Sequence, residues 1–507
     1  MKKVLSIVLC TVMLLSLFVL PTSAAAWDGT TVSASLSGEG TAASPYLINN
    51  GADLAYLAKA TADGESFAGK YFTQTADIDL GNKEWTPIGA SGKAFSGIYD
   101  GKNFKITGFK ITTASSTFIG LFGYISATTE TEAGIANLSL EGEITIDALG
   151  YDAGVGGLVG WVYKDGNDGF KKITVINCTV DVDVTLTNCA KQPRVGGTFG
   201  YAFNAVIENV VNNGDVTVTG TATTRVAGLV GQTNRTAYLN CVNNGNVTTD
   251  VAAAQTARAG GITAVITRGG TKGDEATAVY TTFENCINNG KISSKAQTTS
   301  YAAGIAADYY VNASNWAGKD IRVKFTNCIN NGEVVCETTN DGAYAHAGGL
   351  GGYTYSGGDE VHAFGCVNTA EIKSIGGKTP RAGGMYGSVY SPAVTSANTF
   401  KIENCISVGE VKGGCFSLVD AATALDTCTS NADAATIKAA VDAIEAKMAP
   451  SEKSIGGFDT GYKAPVVPDT PVEPDPTPDT GDAAMLLAVM ALISLAGVVV
   501  AKKVSVR

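Results

Sequence analysis

The 507-residue chain is predicted to be all-β, folded as a parallel β-helix, and three observations carry that prediction. A short signal, Asn-Cys-(Ile/Val)-Asn-Asn-Gly-x-(Val/Ile), recurs through its middle, as in Asn240-Cys241-Val242-Asn243-Asn244-Gly245-Asn246-Val247. It returns at Asn285-Cys286 and Asn327-Cys328, drifts at Gly365-Cys366 and Asn404-Cys405, carries Val210 in place of Cys, and has a weak early copy at Asn177-Cys178. A glycine signal in an apolar stretch alternates with it, at Gly156-Gly157, Gly196-Gly197, Gly228, Gly260-Gly261, Gly304, Gly348-Gly349 and Gly383-Gly384. The spacing from the Cys position to the next glycine is 18 to 21 residues, whereas the return spacing runs from 13 to 25. A backbone coil with loops of free length on one side has this signature. No amphipathic helical period persists through the repeats.

Taken in order, residues 1–26 combine Lys2-Lys3, an apolar run from Val4 to Leu20 and small residues before Trp27, and are expected to be a secretory signal peptide. Residues 27–125 are expected to cap the solenoid and supply its first coils. Within them Asp53 to Lys59 predicts a short helix with Leu54 and Leu57 inward. Asp77 and Asp79 alternate with Ile78 and Leu80, so their carboxylates should point away from the apolar side and serve turn and ladder hydrogen bonds. Trp85 and Phe95 are expected to seal the core. Residues 126–415 hold the repeats, and the shortest, of about 31 residues, fit three short strands with turns between them. An antiparallel sandwich gives no reason for a constant half-repeat.

Residues 416–447 are expected to cap the other end, with a helix in 432–447 placing Ile437, Val441 and Ile444 on one face behind a candidate N-cap, Asn431. That helix should close the solenoid or begin a stalk. Residues 448–482 form a Pro/Asp/Thr-rich spacer, where proline prevents a helix. The uncharged run 483–501 would span about 28 Å as a helix, enough for a transmembrane segment. The tail 502–507 carries Lys502, Lys503 and Arg507, which places it in the cytoplasm and the bulk outside.

Lys plus Arg total 36 and Asp plus Glu 47, a net charge of −11 that argues against nucleic acid as a partner. The two histidines, His346 and His362, exclude a His-Glu-x-x-His zinc peptidase and leave little for a Ser/His/Asp triad. No catalytic residue, metal site or cofactor is assigned. A carboxylate pair for glycan cleavage is the enzyme reading that survives, on the weak ground that 47 acidic residues always offer one.

Cys178, Cys241, Cys286, Cys328, Cys366 and Cys405 share one repeat position and should form an interior column. Val210 at the equivalent site fits buried free thiols; disulfides between neighbours are the alternative, with Cys415 and Cys428 the favoured pair. Asn-Asn-Gly should supply left-handed positions at a tight corner and a ladder of stacked amides. The glycine pairs fit bends or close backbone approach. Inserted loops on a rigid scaffold are where binding usually resides. The candidates are therefore Tyr309, Tyr310 and Trp316 in 306–322, and Tyr344, Tyr353 and Tyr355 in the loop-rich region around both histidines.

Two resemblances extend this reading. Gly120-Leu121-Phe122-Gly123, Gly157-Leu158-Val159-Gly160 and Gly228-Leu229-Val230-Gly231 carry a Gly-Leu-x-Gly core, and with Pro45-Tyr46-Leu47-Ile48 and Trp85-Thr86-Pro87-Ile88-Gly89 the stretch 40–415 resembles bacterial surface proteins with GLUG-type repeats. That resemblance implies a right-handed β-helix displayed on the cell surface, in adhesin-like proteins or accessory regions of enzymes. Thr477-Pro478-Asp479-Thr480-Gly481, followed by the apolar run and basic tail, resembles the sorting signal of Gram-positive wall-anchored proteins, with Thr where that signal has Leu. It implies a sortase-like transpeptidase as partner, cutting between Thr480 and Gly481 and joining the chain to the cell wall; plain membrane anchoring through the C-terminal helix is the alternative. The expected function is a surface adhesin recognising glycans or host and neighbour-cell surfaces. A polysaccharide-acting lyase or glycosidase and a structural envelope component are the rivals.

Overall fold

The structure, a computed structural model, describes residues 25–448 apart from 115, 164–172, 268–279, 311–321, 356–359, 379, 391–399, 416, 421–422 and 427–433. Most of the signal peptide, the spacer beyond 448, Pro478, Thr480 and Gly481, the apolar run 483–501, the tail 502–507, Trp316, Asn431 and Cys428 lie outside the described residues. No helix among the described residues is long and apolar enough to cross a membrane.

The repeat is one coil. Ala237–Leu239, Val242–Asn243 and Val247–Val251 lie in one sheet, Thr256–Gly260 in a second and Thr263–Thr267 in a third. Each strand then pairs in parallel with its equivalent one repeat on, as Val242 with Ile287, Ile329, Val367 and Ile406 in succession. Among the described residues these stacks build sheets of 25, nine and eight strands, and the one antiparallel strand pair is the hairpin Ser417–Asp420 with Thr423–Asp426. The chain is thus all-β with parallel sheets in a solenoid, and the antiparallel sandwich is excluded. The segments 164–172, 268–279, 311–321, 356–359 and 391–399 all fall between a strand of the eight-stranded sheet and the next strand of the 25-stranded one, so the variable half-repeat is that connection.

Burial follows the strand period of two, as in Val247–Val251 and Val334–Thr338, where alternate residues face the core. Aromatic residues at one core position stack from coil to coil: the ring centroids of Tyr238, Phe283 and Phe325 lie 4.9 and 5.1 Å apart, with their planes nearly parallel.

At the front, the helix Gly51–Asp63 extends beyond the predicted Asp53–Lys59 at both ends. The Asn50 side chain accepts from the Ala52 and Asp53 amides, and Gly64, at φ 112°, stops the helix. Leu54 and Leu57 are fully buried, as are Trp85 and Phe95. Asp79 Oδ1 accepts from the Gly81 amide at 2.7 Å and Asp77 Oδ1 from the Lys105 amide at 2.8 Å, which are turn and ladder bonds.

The helix Ala434–Glu445 corrects an expectation. It does not close the solenoid: Val441 and Ile444 pack against Ile287, Ile329 and Val367 on the outer face of the 25-stranded sheet. Those residues each follow the column cysteine and point outward, so the repeat builds an apolar stripe along its own flank. Covering that stripe removes apolar surface from water.

Candidate functional site

The recurring Asn-Cys signal is architectural. Asn177, Asn209, Asn240, Asn285, Asn327 and Asn404 sit at φ 52–54°. The left-handed residue is therefore the Asn before the Cys, not the Asn-Asn-Gly expected to supply it. Tyr238 and Cys241, three residues apart, both face the core, which continuous period-two alternation forbids; left-handed Asn240 resets the alternation. Cys178, Cys241, Cys286, Cys328 and Cys366 are buried and Cys405 half-buried, all as free thiols. Burial pushes the Cys178 thiol up to about 12 and those of Cys286, Cys328 and Cys366 well above the usual range.

The asparagine after the next residue builds a second row. Asn212 Nδ2 donates to Asn243 Oδ1 at 2.9 Å, Asn243 to Asn288 at 2.8 Å, Asn288 to Asn330 at 2.8 Å and Asn330 to Asn368 at 2.8 Å. Every donor points the same way along the stack. Asn212 Oδ1, first in the row, has no partner among the described residues because Val180 occupies its place in the preceding coil. The glycine signal exists to admit this row: a Cβ at Gly197, Gly228, Gly261 or Gly304 would overlap the amide of Asn212, Asn243, Asn288 or Asn330.

Beside that glycine the chain turns from the nine-stranded into the eight-stranded sheet, and the outward side chains of the two sheets converge. Arg194 Nε donates to Gln232 Oε1 at 2.8 Å, Arg258 Nε to Asp308 Oδ2 at 2.5 Å and Arg381 Nη1 to Ser388 Oγ at 2.9 Å. Outward groups can meet only at a re-entrant corner, so a cleft follows the stack. One wall is a single register of the nine-stranded sheet: Arg194, Arg225, Arg258, Tyr301, His346 and Arg381. Four of the chain's eight arginines stand in it. Facing them are Tyr124, Trp161, Tyr201 and Gln232, then Val265, Asp308, Tyr353 and Ser388 further along the same stack. A depression of about 630 Å³ lined by Tyr151, Asp152, Lys191, Gln192, Thr223 and Gln255 adjoins this wall, since Gln192 Oε1 also accepts from Arg225 Nη2 at 3.2 Å.

The electrostatics of the cleft are unusual. Burial and the flanking guanidiniums of Arg194 and Arg258 pull Arg225 down to about 10, and its Nη1 is buried without a partner among the described residues. Burial pushes the Asp308 carboxyl up while Arg258 partly restores it; Asp308 Oδ1 has no partner among the described residues. His346 is 3% exposed, both ring nitrogens lack a partner among the described residues, and burial with Arg381 holds it down at about 3. It lies 5.5 Å from the Tyr353 ring and 5.6 Å from that of Tyr301, which stack on each other at 5.1 Å.

The predicted site residues divide. Tyr353 stands in the cleft, and Tyr344, 47% exposed, lies edge-on to His346 at its margin. Tyr309 is a correction: it is 4% exposed and faces the core from the strand Ala306–Tyr310, because alternation sends Asp308 outward and Tyr309 inward. Tyr310 and Tyr355 end strands rather than sitting in loops. The region around the histidines is not loop-rich either, since His346 lies in the strand Tyr344–Gly348 and His362 in Glu360–Phe364. Sequence reading missed the arginines, Trp161 and Tyr201. Their signal was present: Arg stands just ahead of the glycine signal in Arg194-Val195-Gly196, Arg225-Val226-Ala227-Gly228, Arg258-Ala259-Gly260 and Arg381-Ala382-Gly383. Among the described residues no three His, Cys, Asp or Glu side chains gather to hold a metal ion.

The fold and site define a parallel β-solenoid with an arginine- and aromatic-lined corner cleft. No family model matches the chain. Over 126 residues, 24% of its length, it is 39% identical to a provisionally named Gly-rich membrane protein of Evansella cellulosilytica, and the match spans 14% of that relative. A provisionally named immunoglobulin A1 protease from Bacteroides ovatus aligns in structure with a TM-score of 0.41 and 16% identity, over 74% of this chain and 86% of that one.

Proposed function

We propose that this chain is an adhesin-like protein of the GLUG-repeat kind, a right-handed solenoid displayed at the cell surface that binds glycans of host or neighbouring cells through its corner cleft. The observation that supports this most is the cleft itself. It runs coil after coil with aligned donors and aromatic rings, a periodic surface suited to a linear, repeating ligand. The partial relative is named as a membrane protein, in keeping with an envelope location. The expected signal peptide, spacer, apolar run and sorting-like motif would place the solenoid outside a Gram-positive cell, held by the wall or the membrane.

Glycan-array binding by the full-length chain in detergent tests the function. Binding that is lost when cleft residues are changed supports it; failure to bind any glycan overturns it. Release of shortened products from a polysaccharide, abolished by one carboxylate substitution, would establish the enzyme reading instead. For anchoring, mass spectrometry should find a wall-linked peptide ending at Thr480, and a chain that keeps its tail refutes the sorting step.

A further inference from the structure

Deepening that reading and resting on it, we propose that the cleft selects anionic glycans, polymers bearing carboxylate or sulfate on their sugars, laid along the solenoid axis with Arg225 as the central anchor. The argument starts from charge balance. On the outer face of the 25-stranded sheet, basic residues are matched: Lys291 and Lys373 both bind Glu333, at 2.9 and 2.6 Å, and Lys373 and Lys412 both bind Glu371. The corner is different. Arg194 and Arg225 donate to the neutral amides of Gln232 and Gln192, and among the described residues the carboxylate in contact with these three arginines is Asp308, on Arg258. Asp152, an exposed carboxylate at the rim, acts on Arg194 and Arg225 only at a distance. Among the described residues, three guanidiniums on successive coils thus share one contacting carboxylate, and Arg225 Nη1 is buried without a partner between them.

A buried guanidinium nitrogen with no acceptor is costly unless a ligand supplies one. The planar guanidinium matches the two oxygens of a carboxylate or sulfate. The aromatic rings point the same way. Neutral sugars bind on open ring faces, but here Trp161 lies between Phe118 at 4.9 Å and Tyr201 at 4.3 Å, with the Arg194 guanidinium 5.3 Å from its ring. The faces are taken and what the cleft offers is positive charge. Strands in register repeat about every 4.8 Å, close to the length of one sugar with its glycosidic oxygen, so successive arginines meet successive anionic groups. A nucleic acid offers anions too, but its bases need open ring faces to stack on, and here those faces are taken.

The test titrates the full-length chain in detergent with hexagalacturonate, a sulfated galactan hexamer, methyl-esterified hexagalacturonate, neutral galactan hexamer and a single-stranded oligonucleotide. Either anionic glycan should bind well above its neutral partner. Arg225→Gln should weaken that binding about 10- to 100-fold, as expected for loss of a charge-assisted hydrogen bond. Arg225→Lys should recover part of it, and Lys295→Gln, on another face, should leave it unchanged. Binding by the wild-type chain should also fall with salt as screening shortens from about 10 Å at 0.1 M to about 3 Å at 1 M, a readout that needs no variant. Equal binding of neutral and anionic glycans, unmoved by Arg225→Gln and by salt, overturns the anionic selection while glycan binding stands. An oligonucleotide bound as tightly as hexagalacturonate overturns the choice of ligand class. Binding of no glycan overturns both readings.

Discussion

Asn288→Ala tests the internal amide row. Asn288 is fully buried; its Oδ1 accepts from Asn243 at 2.8 Å and its Nδ2 donates to Asn330 Oδ1 at 2.8 Å and to the Gly290 carbonyl at 2.9 Å. Alanine removes all three bonds and leaves the Asn330 Oδ1 without its donor in a site closed to water. Net loss of a buried bond is about 1 kcal/mol and an orphaned buried group adds about 1–3, so losing three bonds and orphaning one acceptor should cost about 4–6 kcal/mol. The control is one residue away. Asn289 Nδ2 donates to Asn244 Oδ1 at 2.9 Å and its Oδ1 accepts from Asn331 at 3.0 Å, but this row runs along the surface where water can replace it. Asn289→Ala should cost below about 1 kcal/mol. Urea unfolding of both variants followed by circular dichroism measures the difference. Hydrogen exchange should accompany it, because a solenoid can open coil by coil and a single transition then understates a local loss. For Asn288→Ala the loss of protection should centre on the strands around Val242, Ile287 and Ile329. Equal cost for the two substitutions, or a cost below about 1 kcal/mol for Asn288→Ala, would refute the ladder as a source of stability.

Three further outcomes follow from the same geometry. Gly261→Ala should destabilise by more than about 2 kcal/mol, since its methyl would overlap the Gly304 carbonyl and the Asn288 amide; an unchanged urea midpoint would show that the row can shift to make room. Unfolded thiols ionise near pH 8.5 whereas folded Cys178 holds its proton to about 12, so the folded state carries more protons in that window and stability should fall as pH rises through it. The column cysteines should accordingly resist alkylation at neutral pH until the chain unfolds, and rapid stoichiometric labelling of the native protein would contradict the buried column. His346 has the opposite sign: an unfolded histidine takes a proton below about pH 6.5 and the folded one only near 3, so stability should be lost as pH falls through that range. Compared with His346→Phe, the wild-type chain should unfold earlier on acidification; parallel acid curves would show that the ring finds a partner when charged.

How far the chain could be read in advance varied by residue. The solenoid was legible because a coil repeats its inward positions, and Cys241, Cys286, Cys328 and Cys366 recur with their asparagines at nearly constant distance from the glycines. The helix Gly51–Asp63 was legible from its apolar spacing, though not its ends, which Asn50 and Gly64 set outside that pattern. The strands carrying His346 and Tyr353 read as loop in the sequence. Their sequence, Tyr344 to Tyr355, is rich in Gly and Ala, which usually weaken strands. At the corner small residues are required, because amides and backbone from the facing coil lie where side chains would go.

Composition and repeat spacing by themselves determine that this chain is an all-β stack of coils built on a recurring Asn-Cys signal and a glycine bend. They determine this because coil architecture is a periodic property, and a period survives in a linear sequence. The arginine wall is different in kind. Arg194, Arg225 and Arg258 are each a single residue in a coil, more than 30 positions from the next, and only parallel pairing in register makes them neighbours. Whether Tyr309 faces core or cleft likewise turns on one step of strand alternation. Only the tertiary structure decided that Asp308 and Tyr353 look outward across the corner toward those arginines and His346.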